Sequence, residues 1–431
     1  MYCKIKDILD GKFDGKEVEI KGWVQNKRSS GGIQFLIIRD GTGLIQSTVH
    51  RDKVDKKTFE DAEKITQESS VDIIAIVKKD KRAPNGYELQ IKKLKIFQIS
   101  DEFPIGKKEH GPDFLLSHRH LWLRSPRQAA ILRIRDTIIK SGLKYLDDNG
   151  FYMVTAPLLT PTCCEDSTTL FETPYFGKKA YLSQSAQLYI EAAIASLAKV
   201  FSFGPAFRAE KSRTVRHLTE CWMIEPEVAF LDFEGNIKLQ EELVTAMVKA
   251  VLEKNKKDLD ILKRDIKPLK TVEPPFVRIS YSEVIDILQK NKFDIKWGED
   301  LGAPHEKFIS KQFEKPIIIH RYPVEAKAFY MQPDPENPKV VLCNDMIAPE
   351  GYGEIIGGSE RIWDIKLLKQ RIKKIGISEK AYEWYLDLRK YGSVPHSGFG
   401  LGVERVVWWV CKLPHIREAI TFPRTLNRLY P

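Results

Sequence analysis

The sequence predicts an α+β protein in two parts, a small all-β barrel followed by a larger domain whose helices flank a mostly antiparallel sheet. Three observations carry this prediction. Residues 16–99 read as short strands with a period of two, residues 100–126 are rich in proline and glycine, and strand-like and helical stretches alternate beyond them. At 431 residues the chain is long enough for two domains that each bury a core.

In the first part, Val18, Ile20, Gly22 and Val24 alternate with Glu19, Lys21 and Trp23, the pattern of a strand with one buried face. Residues 33–39 form a second run that ends in the turn Asp40-Gly41-Thr42-Gly43, and 44–49 follow as its hairpin partner. Residues 54–68 read as helical. Residues 71–77 and 87–99 supply two more strands around Ala83-Pro84-Asn85-Gly86. Five strands with one helix after the third match a small oligonucleotide-binding (OB) barrel over residues 1–100, with another small barrel as the alternative.

Residues 101–126, with Pro104, Gly106, Gly111, Pro112 and Pro126, read as a hinge. The second domain is expected over 127–431. It opens with Ile131, Ile134, Ile138, Ile139 and Leu146 on one helical stripe. Strand-like stretches at 151–160, 179–183, 200–208 and 220–229 then alternate with helices near 186–199 and 236–257.

Composition narrows the class. With 42% hydrophobic and 30% charged residues the chain is an ordinary globular one, and no apolar run approaches the roughly 18 residues that cross a bilayer. The start, Met1-Tyr2-Cys3-Lys4-Ile5-Lys6, has no apolar secretory core, so no membrane association and a cytoplasmic location are expected. Cys3, Cys163, Cys164, Cys221, Cys343 and Cys411 include no CxxC pair and read as free thiols rather than a zinc site. A net charge of +10 favours a polyanionic partner, because each neutralised phosphate releases counterions.

Three clusters in the second domain place charge where a core would not tolerate it. The first is Phe207-Arg208-Ala209-Glu210, followed by Arg213, Arg216-His217-Leu218 and Glu220-Cys221-Trp222. Arg208 and Glu210 have the same parity on a strand and share a face, although alone they would equally suit a solvated ion pair. The second joins Asp345 to Gly353-Glu354-Ile355-Ile356-Gly357-Gly358-Ser359-Glu360-Arg361. Asp345 and Glu354 suit one Mg²⁺ ion, which is normally held by one or two carboxylates plus substrate phosphates, and glycines admit a ligand close to the backbone. The third is Ser397-Gly398-Phe399-Gly400-Leu401-Gly402-Val403-Glu404-Arg405, where glycines precede a helix start that carries an arginine, as phosphate sites do. Its spacing is not that of a dinucleotide fold, and no GxxxxGK[ST] loop occurs in the chain.

Together these segments resemble the signature motifs of class II aminoacyl-tRNA synthetases. Residues 127–157 resemble motif 1, the dimer interface of that family; 207–227 resemble motif 2 and 398–411 resemble motif 3, while the class I signatures HIGH and KMSKS are absent. A barrel ahead of the catalytic domain is the arrangement of the subgroup that handles lysine, aspartate and asparagine. The run Tyr181-Leu182-Ser183-Gln184-Ser185-Ala186-Gln187-Leu188-Tyr189-Ile190-Glu191 is similar to the aspartyl/asparaginyl pocket. Aspartyl relatives carry a lysine where Ile190 stands, because a buried substrate carboxylate needs a cation. Glu191 beside it would repel aspartate yet accept a hydrogen bond from an amide, and Gln187, one turn away, shares its face. The run Glu354 to Arg361 also looks asparaginyl, since aspartyl relatives usually have serine where Gly357 stands.

The resemblance therefore implies ATP as substrate, Mg²⁺ as cofactor, L-asparagine and tRNA(Asn) as partners, and a homodimer. It implies that Arg208 bridges the α-phosphate and the substrate carboxylate while Glu210 reads the adenine. Arg216, His217 and Arg405 would hold the outer phosphates, with Leu218, Gly402 and Glu404 completing the nucleotide site. Glu354 and Asp345 would carry the metal, Arg361 would meet the side-chain carbonyl and Glu165 the α-ammonium group. Arg28, Phe35 and Gln46 match the residues that read the anticodon. Three rivals stay open: an aspartyl enzyme that charges two tRNAs, an asparagine synthetase paralogue and a non-enzymatic RNA-binding module. Ile190 with Glu191, the intact barrel, and the trio Arg208, Glu354 and Arg405 argue against them in that order.

Overall fold

Alternation in the first hundred residues closes into a barrel. Strands Glu17–Ser30 (β1), Ile33–Arg39 (β2), Leu44–His50 (β3), Ser70–Lys79 (β4) and Tyr87–Gln98 (β5) are ordered β1-β2-β3-β5-β4, antiparallel except for β3 with β5. Every second residue turns inward, so Val18, Ile20, Val24, Leu36, Ile38, Ile45, Val71, Ile73 and Leu89 fill one core. The helix Lys56–Lys64 adds Phe59 and Ala62 to it, and Asp55 caps that helix by accepting from the Thr58 amide at 2.9 Å. A short helix, Ile5–Leu9, sits at the start of the chain with Ile5 and Ile8 fully buried. Three apolar residues in a five-residue stretch carry too little periodicity to have announced it.

The computed structural model describes residues 2–106, 108–164 and 167–431, which form two units that divide between Leu115 and Leu116. The second unit holds Tyr152–Met153 (β6), Leu159–Thr160 (β7), Glu172–Tyr175 (β8), Lys178–Leu182 (β9), Lys199–Phe207 (β10) and Glu220–Ala229 (β11). Val277–Ser280 (β12), Ile317–His320 (β13), Cys343–Ala348 (β14), Gly353–Glu360 (β15) and His396–Gly402 (β16) complete it. Eight of these make one sheet in the order β12-β13-β14-β15-β16-β11-β10-β6, and β7-β9-β8 make a small second one. The large sheet is antiparallel except where β13 meets β12 and β10 meets β6.

The helices Pro126–Asp148, Phe233–Lys254 and Val403–Val410 contribute to the main core of this unit. Ile131, Ile134, Ile138 and Leu146 meet Val244, Met247, Val248, Val406 and Trp409 there, while Ile139 stays at its edge. Gly142 lets two helices approach, since a Cβ at that position would lie 2.2 Å from Met247 Cε.

Two stretches differ from the sequence reading. Residues 101–126 are not hinge-like throughout: Pro112–Ser117 and Arg119–Trp122 are helical and the long helix starts at Pro126. Arg119 is buried and donates to Gln128 Oε1 at 2.7 Å and to the carbonyls of Ile420 and Thr421 at 2.7 and 2.8 Å, which stitches this segment into the second unit. Residues 151–160, expected as one strand, split into β6 and β7 in different sheets. Pro157 lies between them and cannot donate to a ladder. Among the described residues no helix is long and apolar enough to cross a membrane, and the six cysteines are free thiols.

Candidate active site

Strands β11, β15 and β16 are neighbours in the middle of the sheet, with Met223 opposite Gly402 and Glu227 opposite Gly398. At the end marked by Met223, Glu354 and Gly402 lies an open cleft of ≈ 530 Å³. Its lining includes Arg208, Glu210, Arg216, His217, Leu218, Glu354, Gly402, Glu404 and Arg405 together. The three sequence clusters thus meet in one place, because adjacent strands bring residues nearly two hundred positions apart to the same edge.

Charge dominates the cleft. Arg405 Nη1 donates to the carbonyl oxygen of Glu354 at 3.1 Å and lies 2.9 Å from its Oε2. Burial alone would raise the Glu354 carboxyl, but Arg405, Lys327 and Arg208 overcome it and lower its pKa to about 2, so it is an anion at neutral pH. Asp345, on neighbouring β14, receives Lys327 Nζ at 2.8 Å; burial pushes its pKa up despite that cation. A Cβ on Gly357 would lie 3.3 Å from Glu354 Oε1 and 3.6 Å from Asp345 Oδ1. Both carboxylates therefore converge over a glycine that leaves the space between them open. Two hard oxygen donors facing one gap at a phosphate-sized cleft fit a Mg²⁺ ion.

His217 is a neutral imidazole here. Burial, then Arg405, lowers its pKa to about 4, and its Nδ1 lies 2.5 Å from Thr214 Oγ1 and 2.9 Å from Ser212 Oγ. Its Nε2 is 3.5 Å from Glu210 Oε2. Glu404 differs from its neighbours. Its carboxylate pairs with Arg135 at 2.5 Å and accepts the Trp222 amide at 2.8 Å, which ties the long helix to β11 and to the helix Val403–Val410. Each oxygen thus has one partner in the protein, and Glu404 is held in the cleft lining.

At the other end of the same strands is a buried cluster of acids and bases. Arg361 grips Glu227 through two hydrogen bonds, Nε to Oε1 at 3.0 Å and Nη2 to Oε2 at 2.9 Å, and donates to Ser359 Oγ at 2.7 Å. Glu191, on the helix Gln187–Leu197, accepts from Gln187 Nε2 at 3.0 Å, Tyr385 OH at 2.7 Å and Arg389 Nη2 at 2.7 Å, with His396 Nε2 at 3.1 Å. Burial opposes ionisation of Glu191, yet Arg389, His396 and Arg361 prevail and hold its carboxyl far below the usual range.

Two of the expected pocket residues thus have protein partners that the sequence did not announce. A carboxylate offers about four lone-pair sites, and Gln187, Tyr385 and Arg389 donate to those of Glu191, which leaves it little capacity for a ligand amide. Ile190 packs with Ala186, Ile194 and Val200. Gln187 touches Glu191 as the helical spacing implied. Glu165, expected at the α-ammonium group, lies outside the described residues. Although Glu191, Glu227 and His396 present ligand atoms within 4.8 Å of one another, the two guanidiniums already neutralise the acids, which disfavours a cation there.

Several site residues escaped the sequence reading: Glu227, Glu306, Lys327, Tyr385, Arg389 and His396. Glu227 left a signal, an acid of the same parity as Glu225 inside the apolar strand around Ile224 and Val228. Tyr385 and Arg389 left none, because four-residue spacing on a helix is too common to single out.

On the barrel, Phe35 and Gln46 occupy outward positions of β2 and β3, and Arg28 faces Phe35 across β1. The Arg28 guanidinium lies 4.2 Å from the centre of the Phe35 ring, and Gln46 Nε2 donates to Glu88 Oε2 at 2.8 Å. Phe35 is thus a surface aromatic rather than a core residue.

The profile described as "tRNA synthetases class II (D, K and N)" matches residues 111–426, and that of the "OB-fold nucleic acid binding domain" matches 18–97. The chain belongs to the class II aminoacyl-tRNA synthetases, in the group for aspartate, lysine and asparagine. Within that group its similar relatives are asparagine–tRNA ligases. That of Pelotomaculum thermopropionicum is 56% identical over 98% of both chains, and that of Desulforamulus reducens is 55% identical over 98% of both. The crystal structure of asparaginyl-tRNA synthetase from Pyrococcus horikoshii complexed with asparaginyl-adenylate superposes with a TM-score of 0.96, at 50% identity, covering 100% of this chain and 99% of that one.

Proposed function

We propose that this chain is an asparagine–tRNA ligase. It activates L-asparagine with ATP to asparaginyl-adenylate, releases pyrophosphate, and transfers the asparaginyl group to the 3′-hydroxyl of the terminal ribose of tRNA(Asn). The observation that carries the reading is that β11, β15 and β16 hold a cation-lined cleft at one end and a buried subsite of balanced charge at the other.

In the first step an α-carboxylate oxygen of asparagine attacks the α-phosphorus of ATP. The bond from that phosphorus to the oxygen bridging to the β-phosphate breaks, and pyrophosphate leaves. The step needs alignment and charge neutralisation more than a proton donor. Arg208, at the end of β10, is placed to meet the α-phosphate and the incoming carboxylate; Arg216, His217 and Arg405 meet the outer phosphates, and Glu210 the adenine. Glu354 and Asp345 would hold Mg²⁺, which when bound offsets phosphate charge. In the second step the ribose 3′-hydroxyl attacks the acyl carbon and AMP departs.

Selectivity follows from charge balance. Arg361 and Arg389 match Glu227 and Glu191, so the subsite is complete without a ligand charge. A neutral amide enters at no electrostatic cost, whereas an aspartate carboxylate would bring an uncompensated buried anion. Arg361 donates to the amide carbonyl. Glu227 spends one lone pair of each oxygen on Arg361 and retains capacity to accept from the amide nitrogen.

The barrel, through Phe35, Arg28 and Gln46, would stack on and hydrogen-bond anticodon bases. The protein would act in the cytoplasm as a homodimer. ATP–pyrophosphate exchange with each amino acid tests the reading: asparagine should support exchange, and aspartate should be roughly a hundredfold poorer. Equal exchange with aspartate, or none with asparagine, would overturn it.

A further inference from the structure

We propose that Glu306 is a positioning residue of the nucleotide cleft: its buried carboxylate holds Arg216 in the pose that meets the terminal phosphates and fixes the backbone of Glu354 beside them. This rests on the nucleotide reading given above.

Glu306 belongs to none of the three signature segments. It lies on the helix Ala303–Ser310, whose Ile309 belongs to a separate apolar core with Tyr281, Val284 and Ile317. From there its side chain, 5% exposed, reaches the edge of the cleft. A single oxygen, Oε2, accepts from Arg216 Nη1 and from the Glu354 amide at 2.9 Å, so one atom joins three distant parts of the chain. Gly353 makes the contact possible. Its φ is +80°, and a Cβ there would lie 2.7 Å from Glu306 Oε2 and 3.2 Å from Arg216 Nη1.

The electrostatics explain what the carboxylate does. Arg208, Arg216 and Arg405 crowd the same imidazole, and without an internal anion Arg216 would swing towards solvent, away from two like charges. Glu306 holds it in place by one nitrogen. Arg216 Nε is buried without a protein partner, an orphan donor on a side chain that lines the cleft. A guanidinium has five donors, so one anchored nitrogen leaves others for phosphate oxygens. Because the side chain is fixed before ligand arrives, it loses less rotamer freedom on binding.

The test uses the full chain with Glu306→Gln and Glu306→Ala, reading ATP binding by calorimetry and exchange kinetics against ATP and asparagine separately. Both variants should weaken ATP binding and raise the KM for ATP by about tenfold, one charge-assisted contact's worth. The KM for asparagine should stay within about twofold, a split that general loosening of the fold would not produce. Unchanged ATP affinity in Glu306→Gln, or equal rises in both KM values, would overturn the proposal. Glu306→Gln keeps the side-chain shape, so it decides the matter even where Glu306→Ala fails to fold. If the wild type binds ATP but shows no asparagine-dependent exchange, the ligase reading falls while calorimetry still judges Glu306.

Discussion

At the scale of single residues, Glu191 shows how burial brings partners that local spacing does not announce. The sequence sets it beside Gln187 by helical spacing, and Gln187 does donate to it, but its partners Tyr385, Arg389 and His396 come from about two hundred positions away. Spacing along a chain reveals neighbours on one helix; it cannot reveal which distant guanidinium will saturate a carboxylate. The difference changes the expected result of Glu191→Gln. Were Glu191 a ligand acceptor, the variant would fold normally and lose only selectivity. As the counter-charge of buried Arg389, its removal should lower folding stability by about 3–5 kcal/mol, the usual cost of leaving one buried charge unpaired. Chemical denaturation measures this, and a variant as stable as wild type would return Glu191 to direct ligand contact. The pH dependence has a definite sign. Glu191 has a lowered pKa, so its contribution is fully present above the ordinary carboxylate range and is lost as pH falls through its folded value.

At the scale of elements, the barrel was legible because one face of each strand is buried, and a period of two survives in sequence whenever that holds. The central strands of the catalytic sheet were legible mainly through their glycines, and the structure supplies the reason. On β16, Gly398 lies opposite Glu227 of β11, and a Cβ on it would stand 1.9 Å from Glu227 Oε2 and 2.5 Å from the Pro226 carbonyl oxygen. Neither obstacle can retreat, since Glu227 is pinned by Arg361 and the carbonyl is main chain. A motif glycine is thus a packing requirement of the acid–base subsite on the adjacent strand. Gly398→Ala should destabilise the protein by about 1–3 kcal/mol, in the range of overpacked cores, and should raise the KM for asparagine more than that for ATP. Thermal unfolding with exchange kinetics checks both parts; a variant with wild-type asparagine affinity would separate Gly398 from the subsite. The segment 101–126 shows the opposite case. Its prolines and glycines suggested a hinge, yet Arg119 anchors its latter part through contacts no local composition announces.

At the scale of the whole molecule, the resemblance of residues 127–157 to motif 1 implied a dimer, and the exposed edge of the sheet gives that expectation a physical reason. Strand β6 is the edge of the eight-stranded sheet, with β10 as its neighbour on one side. Its two residues, Tyr152 and Met153, are 58% and 62% exposed, and Leu158 and Leu159 just beyond are 45% and 43% exposed. An apolar edge strand left open to water invites pairing with another chain, and natural proteins normally blunt it with charge or cover it. Here no charged residue stands at those four positions. A second copy related by a two-fold axis would cover the edge with the same surface, as closed dimers do. We therefore expect a particle of twice 49.6 kDa in light scattering at micromolar concentration. Tyr152→Asp with Met153→Asp should dissociate it, since like charges at the centre of an isologous apolar contact repel across the two-fold axis. The dissociated variant should also lose most exchange activity, because β6 pairs with β10, the strand that ends just before Arg208. A wild type that scatters as a monomer would refute the dimer. A monomeric variant with full activity would show that the dimer serves something other than the cleft.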